Sequence, residues 1–202
     1  MKNFPDIFIN NSDDVNDDVY VYDDVYNSYI NYRLSGYDRE KQFDNLSEGY
    51  LQVAIKNLII LNNNNMYSHA DIEIFPILFL INHSIECKLK SLAHIYNIEN
   101  AKKGHNIAYL LKIIESELNE LDLKYTQHYI KTFKNEGWFN ESPQLDITRY
   151  PISNKNQVYS HSENIKKNIQ ISLKNLLLVS YEIKNEFQNI SNILEEDRNF
   201  FR

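Results

Sequence analysis

Apolar residues recur every three or four positions over most of the chain, the period of a helix that buries one face. Leu46, Tyr50, Val53, Ala54, Leu58 and Leu61 predict a first helix over 46–61, interrupted by the polar Asn57 and ended by the asparagine run 62–65. A second is predicted over 70–96. Its apolar line Leu78, Ile81, Ile85, Leu89, Leu92, Tyr96 keeps one face inward, with a bend or a start near Pro76, because a proline beyond the first turn removes a backbone bond. "NIENAKKG" reads as a turn, and a third helix begins near His105 with Ile107, Leu110, Leu111, Ile114 and Leu118 inward. A fourth covers about 122–135 and carries Leu123, Tyr129, Ile130 and Phe133. After an irregular stretch, 136–160, a last long helix over about 163–196 follows Ile165, Ile169, Leu173, Leu176, Val179, Ile183, Phe187, Ile190 and Leu194. Ser160 or Ser162 is placed to cap its start.

These elements make an all-α fold, a helical bundle of four to five helices, with an irregular acidic N-terminal arm. The arm, residues 1–44, alternates acidic pairs with Val and Tyr. Asp-Asp-Val units begin at Asp13, Asp17 and Asp23, and their unequal spacing fits no solenoid repeat. Its tyrosines pack it on the body, or its aspartates offer a basic partner protein an acidic surface. Residues 45–202 form the bundle domain.

Composition narrows the function. Of 202 residues, 43% are hydrophobic and 24% charged, so the body folds, and 4 Gly with 4 Pro leave too few turns for a sheet protein. The net charge of -7 argues against a surface that grips nucleic acid broadly, so any RNA contact is local. No secretory signal and no membrane-length apolar run is visible. The single cysteine, Cys87, forms no internal disulfide and reads as a buried inert thiol in a cytoplasmic protein.

The candidate chemistry is sparse. His83, Glu86, Lys90 and His94 share one side of the second helix: a solvated stripe with a Glu-to-Lys pair, or a polar seam inside the bundle or its dimer interface that holds a ligand. No metal site is expected, since no second His-Glu pair accompanies His83 and Glu86 and one cysteine rules out a zinc knuckle. No cofactor motif appears. His105, behind Gly104, satisfies free backbone groups at a helix start or acts as a base or ligand contact. In "TRYP", 148–151, Arg149 is one of five arginines; its planar donors suit phosphate, and the adjacent Tyr150 suits stacking on a base, while pairing with Asp146 is the plainer role.

Taken in order, "HSIECKLKSL" (83–92), "GHNIAYLLKII" (104–114) and "TRYP" (148–151) resemble the HEPN superfamily of helical proteins: a Glu-x-x-x-Lys helix, a Gly-His helix start and a late Arg-Tyr-Pro, over roughly 70–195. The resemblance implies a dimeric bundle of four or five helices from prokaryotic toxin-antitoxin or antiphage systems. Many members are metal-independent ribonucleases whose Arg and His lie four to six residues apart. Here Arg149 has no histidine at that distance, and "NAKKGH", Asn100 to His105, has the spacing with Asn in place of Arg. A neutral amide there removes charge stabilisation from a phosphoryl transition state. The expectation is therefore a non-catalytic binder of a nucleotide, RNA or partner protein, with His83, Glu86, Lys90, Arg149 and Tyr150 as contacts. The alternatives are a divergent ribonuclease using His105 and Arg149, and a structural subunit that recruits its partner through the arm.

Overall fold

Five long helices and one short one account for most of the residues 37–64, 69–118, 121–135 and 170–200, which the computed structural model describes. The chain divides into two units, Met1–Gly36 and Tyr37–Arg202, and all described residues lie in the second. In chain order the helices are α1 (Arg39–Asn63), α2 (Ala70–Ile95), α3 (Glu99–Lys102), α4 (Ile107–Glu117), α5 (Lys124–Asn135) and α6 (Leu173–Phe200). The described residues contain no strand, as the scarcity of turn residues predicts.

The helix α2 is the centre of the bundle. Leu78, Ile81, Ile85, Leu89 and Leu92 are fully buried, and so are Ser84, Cys87 and Ala93 on its other faces. It packs most extensively on α1 and also meets α3 and α4. It runs unbroken through Pro76, its seventh residue, which lies on the exposed side. The buried side of α1 is Ser47, Leu51, Ala54, Ile55, Leu58 and Leu61. Val53, predicted inward, is 45% exposed. The face is turned from the predicted one because part of the contact is polar, which an apolar pattern does not register.

That contact has a regular register. Ser84 Oγ donates to the Ser47 carbonyl at 2.8 Å, Lys88 Nζ to Asp44 Oδ1 at 2.6 Å, and Ser91 Oγ to the Glu40 carbonyl at 2.8 Å. As the number rises along α2 it falls by a like amount along α1, so the two helices are antiparallel and joined about once per turn. The two serines, small enough to let the backbones approach, make the close packing compatible with these bonds. α1 also begins at Arg39, sooner than its hydrophobic period suggests, since its first turns are anchored through Glu40 and Asp44.

Two caps set the chain between α2 and α4. Asn97 has φ 56 and donates to the His94 carbonyl, and Ile98 donates to the Ala93 carbonyl at 2.8 Å. This is a Schellman stop with asparagine in the left-handed position. Gly104 has φ 89, a conformation that a side chain would strain. Asn106 then caps α4 by accepting from the Tyr109 amide at 3.0 Å. The last helix starts at Leu173, where Ser172 Oγ accepts from the Asn175 amide at 3.3 Å. Residues 170–172, predicted helical, are not; the cap expected at Ser160 or Ser162 and residues 163–169 of the predicted helix lie outside the described residues.

Candidate functional site

The carboxylate of Glu86 gathers three of the sequence's candidate residues. Lys90, one turn along α2, donates to its Oε1 at 2.8 Å. His105, nineteen residues away on the approach to α4, places Nδ1 2.8 Å from the same oxygen. His83 Nδ1 lies 3.7 Å from Oε2, too long for a hydrogen bond but close enough for electrostatic attraction. The Schellman stop and the turn at Gly104 bring His105 here. The histidine sits one residue ahead of the cap, and Asn106 satisfies the helix start, so the imidazole is free for Glu86.

Burial is uneven across the cluster. Glu86 and Lys90 are buried, whereas the His105 side chain is 60% exposed. Burial by itself pushes the Glu86 pKa up; the approach of His83, the hydrogen bonds from Lys90 and His105, and the Lys90 charge outweigh it and hold the carboxyl at about 2. An ionised carboxylate only accepts hydrogen bonds, so the proton of the contact is on His105 Nδ1. In the neutral ring Nε2 is then the acceptor. His83 is fixed from both sides, its ring stacked on Phe79 at 5.5 Å and edge-on to Tyr50 at 4.7 Å.

His94, the last residue of the predicted stripe, takes no part. It stacks on Phe43 of α1 at 5.5 Å, and burial together with nearby Lys102 and Arg39 holds its pKa down. Arg149 and Tyr150 lie outside the described residues. Cys87 is buried, and burial, with the adjacent Glu86 charge, pushes its thiol up to about 12, so it is not a nucleophile. Among the described residues no group of three or more His, Cys, Asp and Glu is arranged to hold a metal ion.

Two further polar clusters join side chains far apart in the sequence. Lys88, buried, donates to Asp44 of α1 and, at 2.6 Å, to Ser191 of α6. Glu186 of α6 accepts from the Tyr125 and Thr126 amides and the Thr126 hydroxyl, capping α5 from another helix. A lysine and a glutamate within apolar periods were the only clues, and neither names a partner far along the chain. No protein-family model, curated protein or solved structure matches the chain.

Proposed function

We propose that this chain is a HEPN-like helical protein that binds a nucleotide or RNA beside Glu86, Lys90 and His105 without cleaving it. In this reading it is cytoplasmic, works as a homodimer in a prokaryotic defence or toxin-antitoxin module, and uses its acidic arm for a protein partner. The observation that supports it is the meeting of Glu86, Lys90 and His105, drawn from two of the three segments that carry the resemblance. The geometry favours holding over cutting. The ammonium of Lys90 is committed to Glu86, and Glu86 is too acidic to donate a proton at neutral pH. The exposed ring of His105 still offers a stacking face and a ring nitrogen to a ligand. Arg149 and Tyr150 are the proposed phosphate and base contacts.

One observation favours the second reading, a metal-independent endoribonuclease. Glu86 fixes the tautomer that leaves Nε2 as acceptor, the arrangement a general base requires. One assay separates the two. Full-length protein is titrated into labelled tRNA and nucleoside triphosphates, with and without chelator, and the RNA is run on a denaturing gel. Saturable binding to intact RNA or nucleotide, weakened at least about tenfold by His105→Ala (about 1.4 kcal/mol), is expected. Unchanged affinity in that variant overturns the site. Chelator-resistant cleavage that His105→Ala abolishes overturns the non-catalytic assignment in favour of the nuclease.

A further inference from the structure

A groove of about 180 Å³ opens between α1 and α6. Its walls carry Lys41, Asp44 and Glu48 from α1 and Lys184, Ser191 and Asn192 from α6, and Lys88 of α2 lines it from below. Lys88 and Glu86 are two residues apart, about 200° around the helix, so this groove and the His105 corner belong to different faces of α2.

The polar groups at the floor form a triangle with one position open. Lys88 Nζ donates to Asp44 Oδ1 and to Ser191 Oγ, each at 2.6 Å. Ser191 in turn donates to Asp44 Oδ2 at 3.2 Å. An ammonium has three hydrogens, and two are thereby used. The ring of Phe187, 5.7 Å from Nζ to centroid, lies at the outer limit of a cation-π contact and is no hydrogen-bond acceptor of ordinary strength. The side chain of Lys88 is 3% exposed, so a partner for the third hydrogen must come through the groove. Lys184 adds a second ammonium on the α6 wall. With three lysines against two carboxylates the lining has an excess of one positive charge, and its volume matches a molecule of about six waters.

We propose that this groove binds a small oxyanion, the carboxylate or phosphate group of a small metabolite, which accepts from Lys88 and pairs with Lys184. The test uses full-length protein, calorimetric titration and thermal unfolding, with inorganic phosphate and acetate as separate probes at matched ionic strength and chloride as control. Saturable one-to-one binding of either probe, absent with chloride, is expected, and the probe that binds names the group. Lys88→Met should abolish binding. Lys184→Ala, on the rim, should weaken it at least tenfold without unfolding the bundle, and it carries the test alone if Lys88→Met does not fold. His105→Ala should leave it unchanged, which separates this site from the one proposed above. Failure of both probes to bind saturably, or equal binding by wild type and Lys184→Ala, overturns the proposal.

Discussion

Glu86 is a residue whose surroundings reverse its expected behaviour. A carboxyl shielded from water should hold its proton, yet donors from α2 and from the turn before α4 keep it ionised. With a folded pKa of about 2 against 4.5 for the free group, its stabilising contribution is present above pH 4.5 and is lost as pH falls towards 2. The full difference is about 3 kcal/mol. Urea midpoints measured across that range should fall for wild type. Glu86→Gln should start lower at neutral pH, because Lys90 loses its counter-charge, and should show a shallower acid decline. Equal acid slopes in the two proteins would mean that the carboxylate is not held this way.

At the scale of elements, α2 is fixed by polar contacts as much as by its leucines. Lys88 reaches α1 and α6 together, so one ammonium ties three helices. Burial lowers its pKa, the Asp44 charge opposes that, and removal of Asp44 leaves a desolvated cation with only Ser191. Asp44→Ala is expected to cost about 3 kcal/mol or more in denaturant unfolding. Adding Lys88→Met to that variant should recover much of the loss, because an unbranched apolar chain suits the site without a charge. Additive losses in the double variant would show that the two residues act independently. The α1 and α2 boundaries follow the same logic: the apolar period places α2 within a residue, but α1 begins earlier because Glu40 and Asp44 are held from across the interface.

For the whole molecule, the -7 net charge and the local character of the His105 corner set how any nucleic acid binding must behave. If about two cations meet phosphate, the slope of log affinity against log salt is about -1.4 for a single strand. Anisotropy titrations at several salt concentrations should give such a shallow slope, and a slope several times steeper would point to a broad basic surface instead. Among the described residues no helix is long and apolar enough to cross a membrane. Helices α1, α2, α4, α5 and α6 share one hydrophobic core, while Ile60, Ile72, Leu178 and Ile193 stay exposed.

The sequence by itself determined the class of fold, the inward lines of α2 (apart from Tyr96, which is exposed), α4 and α5, and Glu86, Lys90 and His105 as residues of interest, because each follows from a period or a motif local to the chain. Only the tertiary structure decided that Glu86 and Lys90 are buried rather than solvated, that Asn106 and not His105 caps α4, and that Ser47, Asp44 and Ser191 face Ser84 and Lys88. Those pairings join residues 37 to 103 positions apart. A hydrophobic period records which side of a helix turns inward, and it holds no information on which polar atom of another helix will be waiting there.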